Sequence, residues 1–379
     1  MITVSCSNNI NTQIPLNNNN ISNQKKKYRI KKIIDNSSNT ELNSSIQAFC
    51  VLATKIFNSL QQQDSYQEKS LHNAPRWGKN NHKIPLFADA VLHNKTIHVP
   101  ATHNLEIGSA QVKSAILLAG MNVKGMTKII ENIPSRNHTE IMLKHLGANL
   151  NVDNNVISLT SPNFLKPKDL YIPGDFSSAA FVIVAVLLSV KSKVKIKDVG
   201  LNYYRIGLLE VLKKMNAKIL VNNKRKFNGE VVGDIEVRSS NLLGITVRKQ
   251  ISPRLIDEYP ILFVAASFAS GTSKFYGLDE LKVKESNRLK TMAKALSESG
   301  VKLVLGKDSI EIFGEKFQRG GTQIITESDH RVAMSMLIFG FFSKNSIIID
   351  DMRMIKTSFP GFRDLFQSLG ANIEHIQKH

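Results

Sequence analysis

The chain has 379 residues, of which 42% are hydrophobic and 21% charged, so it can form one large core or two ordinary ones. It contains no run of about 18 apolar residues, and a membrane-spanning helix is therefore not expected. The two cysteines, Cys6 and Cys50, form neither a metal-ligand spacing nor a disulfide framework, which favours a reducing, cytoplasmic setting.

The formal net charge of +19 fits nucleic-acid binding, attraction of anionic small molecules, or drift in base composition. The lysines are mostly scattered, and the basic cluster at residues 25–32 has no zinc-finger, RNA-recognition or basic-zipper pattern beside it. We therefore rank drift first, anionic substrates second and nucleic acid a distant third.

The first 45 residues are low in complexity and rich in Asn, so disorder is expected there. An acid-poor leader also fits an organelle transit segment, although arginine is nearly absent from it. Residues 45–60 have helical periodicity, and residues 61–73 are again polar. The composition of the sequence changes near Arg76, where the part of the chain with internal repeats begins.

Beyond Arg76 one pattern occurs four times: a polar loop, an apolar helix rich in small residues, then a β-rich stretch. These segments begin at Ser109, Asp175, Asp257 and Asp329. A second helix that ends near a Gly or Asn, a natural C-cap, follows each of them, from His138, Tyr204, Glu285 and Phe362. Apolar or alternating runs at 193–199, 324–325 and 347–349 predict strands, and the apolar run 181–190 predicts a buried helix. The pattern indicates an α/β fold of βαβαββ-like units.

Polar groups are concentrated in the loops that open these helices, where free N–H groups and the helix dipole favour an anion. In the loop 108–111, Ser109 and Gln111 offer hydrogen bonds, and Ala110 lets the backbone approach a ligand. Ser109 fits a plain helix N-cap equally well.

Lys284 and Arg288 are four apart at a predicted helix start, so both can face one site, with the Glu285 carboxylate between them. On spacing alone, a solvated helix face with ion pairs is the favoured interpretation. If the repeats pack around a shared axis, however, these residues converge with the other loop residues into one site for two anionic substrates. Those loop residues are a candidate base, Asp257, and two cations, Arg331 and Lys356.

Seven motifs, in this order over about 300 residues, carry a specific resemblance: SAQVKSAILLAG, SRNHTEIML, PGDFSSAAF, LIDEYPILFVAA, ELKVKESNRL, SDHRVAM and TSFPGF. From about Arg76 onward the sequence resembles the 5-enolpyruvylshikimate 3-phosphate (EPSP) synthase family, in its class II bacterial form. The resemblance implies a two-domain inverse α/β barrel of six βαβαββ repeats with the active site in the cleft between the domains. It implies transfer of the enolpyruvyl group of phosphoenolpyruvate to the 5-hydroxyl of shikimate 3-phosphate, with phosphate released and no metal or organic cofactor.

The same resemblance assigns expected roles. Asp257 matches the base that accepts the 5-hydroxyl proton, and Glu285 matches the acid/base at the phosphoenolpyruvate methylene. The residues that match contacts to shikimate 3-phosphate are Ser109, Ala110, Gln111, Arg136 and Lys284. The residues that match contacts to phosphoenolpyruvate are Arg288, Arg331 and Lys356. We expect a cytoplasmic monomer that uses these two small molecules and no nucleic acid or membrane.

The sequence departs from the family pattern in its N-terminal part. A GSKSxSNR-like loop, an NAGT-like loop and a GDxSLxxRPM-like strand are missing, and Asn137 and Asn287 stand where aspartates are usual. We therefore expect a divergent segment over 1–75, an incomplete first domain with one repeat over 76–170, and a second domain with three repeats over 171–379.

Three alternatives stay open at this point. The first is a degenerate family member with little or no activity. The second is the sister transferase that acts on UDP-N-acetylglucosamine, although neither cysteine lies in a matching loop. The third, and least favoured, is an RNA-binding protein that uses the basic cluster at 25–32.

Overall fold

The computed structural model describes residues 2–5, 27–28, 101–106, 108–121, 123–161, 165–166 and 168–375. The chain divides into two compact units. The N unit comprises Lys25–Ile172 and Phe227–Glu230, and the C unit comprises Met1–Gln24, Pro173–Lys226 and Val231–His379. The domain limits near residues 75 and 170 stay predictions, and the helix predicted over 45–60 lies outside the described residues.

The described strands, in chain order, are β1 (Ile2–Ser5), β2 (Lys27–Tyr28), β3 (Thr102–Leu105), β4 (Gly125–Glu131), β5 (Leu150–Asp153), β6 (Val156–Ser161), β7 (Leu170–Tyr171), β8 (Lys193–Gly200), β9 (Lys218–Phe227), β10 (Glu230–Arg238), β11 (Thr246–Val247), β12 (Gly271–Tyr276), β13 (Lys302–Leu305), β14 (Ser309–Gly314), β15 (Gln323–Ile324), β16 (Ile347–Ile349) and β17 (Asn372–His375). The described helices are α1 (Ala110–Gly120), α2 (His138–His145), α3 (Phe176–Leu188), α4 (Gly207–Lys214), α5 (Tyr259–Ser267), α6 (Arg288–Glu298), α7 (His330–Phe342), α8 (Arg353–Ser358) and α9 (Phe362–Ser368). Short 3₁₀ helices cover Lys249–Arg254, Ile256–Glu258 and Asp279–Val283.

The N unit contains one complete βαβαββ repeat, in the order β3-α1-β4-α2-β5-β6. Its sheet order is β3-β4-β6-β5, with β3 parallel to β4 and the other two pairings antiparallel. The core of this repeat is made of apolar side chains from both helices and the sheet, among them Ile116, Leu143 and Ile157. The repeat predicted from the Ser109 and His138 segments is confirmed.

Three further sheets in the C unit repeat this plan. The sheet β11-β12-β14-β13 has the same order and the same parallel first pair, with α5 and α6 as its helices. The sheet β8-β10-β9 lacks a full first strand, and a parallel bridge from Gly174 to Val199 takes its place. Three repeats follow one another in the C unit, as the sequence pattern predicts.

The last sheet is completed by the N-terminus of the chain. Its order is β15-β16-β1-β17, so β1 occupies the position that β6 and β14 occupy in their own sheets. Strand β1 runs antiparallel to both neighbours, with Ile2 opposite Ile349 and His375. The disorder expected for the first 45 residues is therefore wrong for Ile2–Ser5, and also for Lys27–Tyr28, which pairs with β7.

The first helices of the three C-unit repeats pack at the centre of that unit. Every residue of α5 is buried, and α3 and α7 are buried along almost their whole length. A helix that is apolar on all sides is stable only when protein surrounds it. The buried helix predicted over 181–190 is confirmed, although α3 begins earlier and ends before Val190, which is 77% exposed.

The predicted helix ends are confirmed by backbone geometry. After α2, α4, α6 and α9 the chain adopts positive φ at Gly147, Asn216, Gly300 and Gly370. Gly and Asn adopt this left-handed conformation at low cost, which is why they mark helix C-termini. No helix in the described ranges is long and apolar enough to cross a membrane.

Candidate active site

The polar loops of the three C-unit repeats meet around one carboxylate, that of Asp257. This residue lies in the 3₁₀ helix before α5 and is 9% exposed. The Arg205 Nη1 atom donates a hydrogen bond to Asp257 Oδ2 at 2.8 Å. The other carboxylate oxygen, Oδ1, lies 3.7 Å from Lys284 Nζ and 3.6 Å from Arg288 Nη1. Three cations from two segments of the chain thus face one buried base candidate.

Arg288 is a second organising residue, and its side chain is 1% exposed. Its Nε donates to Asp329 Oδ2 at 2.8 Å, and its Nη2 pairs with the Glu285 carboxylate. Asp329 caps α7 by accepting from two backbone N–H groups, and Ser286 Oγ also donates to it at 3.0 Å. The half-exposed Glu285 carboxylate is therefore held beside the buried cluster by a rigid partner.

Glu258 and Ser177 extend the cluster around Asp257. The Ser177 hydroxyl donates to Glu258 Oε1 at 2.6 Å, and it accepts from Arg205 Nη2 and, at 3.3 Å, from Arg331 Nη2. Arg331 Nη1 donates to the backbone carbonyl of Asp257 at 2.9 Å. One serine hydroxyl thus joins two arginines to a carboxylate that is only 1% exposed.

Burial and charge shift the pKa values of this cluster. Burial raises the pKa of the Glu258 carboxyl above its ordinary value, although the guanidinium groups of Arg205 and Arg331 oppose the rise. Burial opposes the charged form of Arg205, but the nearby carboxylates, Glu258 first, raise its pKa overall. Burial, reinforced by the charge of Arg331, lowers the pKa of His330. The pKa values of the carboxyl and guanidinium groups in the cluster are therefore set by burial together with the charges of their neighbours.

The structure corrects two expectations for the segment 284–288. Helix α6 begins at Arg288, with Asn287 as its N-cap, so Lys284 precedes the helix and follows the 3₁₀ helix Asp279–Val283. The two cations nonetheless approach the same oxygen of Asp257. The solvated-face interpretation is also wrong for Arg288, because its side chain is almost fully buried.

Lys356 lies apart from these contacts. It is exposed in the last turn of α8, a short helix, although it was predicted to be a loop residue. Among the described residues none forms a hydrogen bond or ion pair with its ammonium group. The predicted convergence of loop cations therefore includes Lys284, Arg288 and Arg331, and no described contact extends it to Lys356.

In the N unit, the loop 108–111 opens α1. Ser109 is the N-cap of α1, and its hydroxyl accepts from the Val112 N–H at 3.3 Å. Ala110 is half-buried and Gln111 is exposed at the first turn. Arg136 is half-buried in the loop between β4 and α2. The N-cap role considered for Ser109 is confirmed, while the binding roles of these residues stay predictions.

A buried ion cluster, which the sequence did not predict, lies behind these two loops. Lys113 on α1 is 0% exposed, and its Nζ lies 3.0 Å from Glu131 and 2.7 Å from Glu140. Glu131 in turn accepts hydrogen bonds from the Ser135 N–H and hydroxyl. The cluster connects the start of α1 to the loop that carries Arg136. Its sequence signal is a single lysine in an otherwise small and apolar helix.

Two residues of the C-unit cluster were also missed, Arg205 and Ser177. Both lie in segments noted as helix starts or, for Ser177, also as a family motif, and nothing local distinguishes the two residues from ordinary polar loop residues. The two departures at aspartate positions are easier to explain. Asn287 caps α6 through its side-chain oxygen, which accepts from the Lys290 N–H at 3.1 Å, as an aspartate would. Asn137 occupies the N-cap position of α2.

The chemistry of the cluster is that of acids, bases and anion-binding cations. Within the described ranges, no group of three or more His, Cys, Asp or Glu side chains is placed to hold a metal ion. Arginine and lysine side chains can bind anions, and the buried carboxylate that they surround can accept a proton from a ligand.

Comparison with known proteins agrees with this arrangement. A family model described as EPSP synthase (3-phosphoshikimate 1-carboxyvinyltransferase) matches residues 78–366. The chain is 47% identical over 298 residues to a 3-phosphoshikimate 1-carboxyvinyltransferase of Bartonella quintana, a match that covers 77% of this chain and 66% of the relative. It is 45% identical over 285 residues to the enzyme of the same name from Zymomonas mobilis, covering 73% and 63%.

A solved structure of an EPSP synthase from Acinetobacter baumannii superposes with a TM-score of 0.69 at 37% identity, covering 74% of this chain and 64% of that one. This likeness confirms the predicted α/β fold class, that of the two-domain inverse α/β barrel. The chain spans slightly less than two thirds of the length of the curated relatives from Bartonella quintana and Zymomonas mobilis.

Proposed function

The chain belongs to the EPSP synthase family, and from that premise we propose that it transfers the enolpyruvyl group of phosphoenolpyruvate to the 5-hydroxyl of shikimate 3-phosphate. Phosphate is the second product, and the reaction belongs to aromatic amino-acid biosynthesis. The observation that carries the proposal is the position of Asp257, a buried carboxylate facing Arg205, Lys284 and Arg288. Such a carboxylate is a base at the centre of an anion-binding site.

In the first half of the proposed reaction, Asp257 accepts the proton of the 5-hydroxyl, and the hydroxyl oxygen attacks C2 of phosphoenolpyruvate. Glu285 gives a proton to the methylene carbon, so the double bond becomes a methyl group in a tetrahedral intermediate. The half-exposed position of Glu285 supports this role, because a proton donor must be accessible to the ligand.

In the second half, the methyl group returns one proton to Glu285 as the C2–O bond to phosphate breaks, and the proton held by Asp257 leaves with the phosphate. The product is the enolpyruvyl ether of shikimate 3-phosphate. The carboxylate and phosphate of phosphoenolpyruvate are bound by Arg288, Arg331 and Lys356. The two guanidinium groups match these anions with paired hydrogen bonds, and the lysine adds a positive charge. Arg288 is held in place by Asp329, which favours a preorganised clamp.

Shikimate 3-phosphate is bound by Ser109, Ala110, Gln111 and Arg136, together with Lys284. The N-terminus of α1 supports this assignment, because its N–H groups and the neighbouring small residue suit a phosphate or hydroxyl ligand. The buried Lys113 cluster supports it further, since it anchors both loops to one sheet.

The protein acts on these two small molecules as a cytoplasmic monomer, without nucleic acid or membrane partners. The scattered lysines and the family relationship support this part of the proposal. No finding favours the degenerate-member alternative. The net charge of +19 suits two multiply anionic substrates.

The test is a phosphate-release assay with purified full-length chain. We expect release that requires both phosphoenolpyruvate and shikimate 3-phosphate and that falls to background in Asp257→Ala. A wild-type rate equal to that of Asp257→Ala would refute the proposal. Calorimetric binding of shikimate 3-phosphate without any turnover would support the degenerate-member alternative instead.

A further inference from the structure

Arg205 donates a hydrogen bond to the proposed base at 2.8 Å, a shorter distance than those from Lys284 and Arg288, and no role has been given to it so far. It lies in the loop between β8 and α4, and its side chain is 11% exposed. We propose that Arg205 is the positioning residue for Asp257, because its guanidinium group holds Oδ2 and so orients Oδ1 toward Lys284 and Arg288. The inference rests on the proposed function, in which Asp257 is the base.

The distances assign different environments to the two oxygens of Asp257. Oδ2 accepts from Arg205 Nη1 at 2.8 Å, the length of a charge-assisted hydrogen bond. Oδ1 lies 3.7 Å from Lys284 and 3.6 Å from Arg288, which is beyond hydrogen-bond length. Arg205 therefore sets the rotation of the carboxylate, and the two proposed substrate-binding cations face the oxygen that Arg205 does not hold.

The second terminal nitrogen of the guanidinium group, Nη2, explains why position 205 is occupied by an arginine. Arg205 Nη2 donates to Ser177 Oγ and lies 3.6 Å from Glu258 Oε1. The Ser177 hydroxyl donates its hydrogen bond to Glu258, so its oxygen is available to accept from Arg205. A lysine has one nitrogen and cannot hold Asp257 and Ser177 in this planar fork at the same time.

The surrounding charges determine how Asp257 responds to the loss of Arg205. Among the contacts described above, the charged groups that face it include Arg205, Lys284 and Arg288, with Glu258 and Arg331 next to them. Removing Arg205 deletes the nearest positive charge and leaves Glu258 with less compensation. Protonation of Asp257 then becomes easier, so the rate must be lost at a higher pH than in the wild type.

The experiment measures kcat and KM as functions of pH for wild type, Arg205→Met and Arg205→Lys. In Arg205→Met we expect the acid limb of kcat to move upward by about one pH unit or more, since removing a close opposite charge has an effect of this size. The plateau rate should fall, while the KM values for both substrates change much less. Arg205→Lys should keep the acid limb near its wild-type position but at a lower plateau.

Arg254→Met is the matched control. Arg254 is also a partly buried arginine in an ion pair, 3.1 Å from Glu210, and it contacts the Tyr203 carbonyl in the same loop region. It touches none of the residues around Asp257 described above, and its variant should keep the wild-type pH profile. Should Arg205→Met fail to fold, Arg205→Gln removes the same charge and retains hydrogen-bond donors.

A measurement independent of turnover separates this inference from the proposed function. The carboxyl carbon of Asp257 can be followed by ¹³C NMR in labelled protein and assigned with Asp257→Asn. If Asp257 titrates at a higher pH in Arg205→Met than in the wild type, the inference is supported, even when the wild type releases no phosphate. A lack of phosphate release refutes only the proposed function. Titration and rate profiles that superimpose on the wild type would overturn the role of Arg205.

Discussion

The two units contain buried ion clusters of different kinds. In the N unit, Lys113 and its two glutamates are sealed, with side-chain exposures of 0%, 7% and 4%. In the C unit, the cluster around Asp257 includes Lys284 at 21% and Glu285 at 52% side-chain exposure. Sealed charges can only hold structure together, whereas charges that extend to the surface can meet a ligand. Exposure at the edge of a cluster, more than the number of charges, distinguishes a site from a structural anchor.

The largest expected effect is on catalysis in the C unit. Asp257→Asn keeps the shape of the side chain but removes the base, so kcat should fall by about 10²–10⁴-fold. The free energy of unfolding, measured in urea, should change far less than the rate. Asp279→Asn, at an exposed carboxylate paired with Lys282, is the matched control and should leave kcat unchanged. A near-normal rate in Asp257→Asn would contradict the distinction between a functional site in the C unit and a structural anchor in the N unit.

The next effect is on stability in the N unit. Lys113→Met leaves Glu131 and Glu140 buried without their cation, so the free energy of unfolding should fall by about 3–5 kcal/mol. Denaturant unfolding of the full chain measures it. Lys214→Met, at an exposed pair with Glu210, should cost less than about 1 kcal/mol. Adding Glu131→Gln and Glu140→Gln to Lys113→Met should restore much of the loss, and a lack of recovery would contradict the sealed-anchor interpretation.

A smaller effect on stability is expected at the N-cap of α6 in the C unit. Asn287→Ala removes the side-chain cap of α6 and should cost about 1 kcal/mol in unfolding free energy. Asn287→Asp preserves the cap and should be at least as stable as the wild type. A drop in stability for Asn287→Asp equal to that for Asn287→Ala would show that the cap contributes little.

The smallest effect is a pH dependence in the N unit. Burial raises the pKa of Glu140, even though the charge of Lys113 lowers it. An acid with a raised folded-state pKa binds its proton more tightly when folded, so its stabilising contribution is complete below the unfolded value of 4.5 and is lost as pH rises through the folded pKa. The stability of wild type relative to Glu140→Gln should therefore decline as pH rises above 4.5. Thermal melts at several pH values check the sign, and a rising difference would contradict it.

Local sequence patterns were sufficient for much of the fold. Small, apolar helix segments and Gly or Asn after the second helices predicted α1 to α7 and α9, because periodicity and capping depend on neighbouring residues. Strand β8 was predicted by alternation, and within it the chain adopts a positive φ of 59° at Asp198. Strand β1 was not predicted, since its partners are at the other end of the chain.

The candidate site was predicted by residue type, while its contacts required the structure. Asp257, Lys284, Arg288 and Arg331 were identified as loop residues, and their convergence was conditional on the packing of the repeats. Arg205 and Ser177 were missed because their partners lie 52 and 81 positions away. Spacing alone also suggested a solvated position for Arg288, whose burial depends on Asp329, 41 positions later.

Short-range chemistry along the chain was enough to establish the repeats, the helix ends, the family resemblance and the acids and cations that a reaction could use. Tertiary packing alone decided which of those charges are sealed, which reach the surface, and that β1 completes the last sheet. The physical reason is the distance along the chain over which each interaction acts. Helix propensity and capping act over about four residues, whereas burial and ion pairing depend on which distant loops the core brings together.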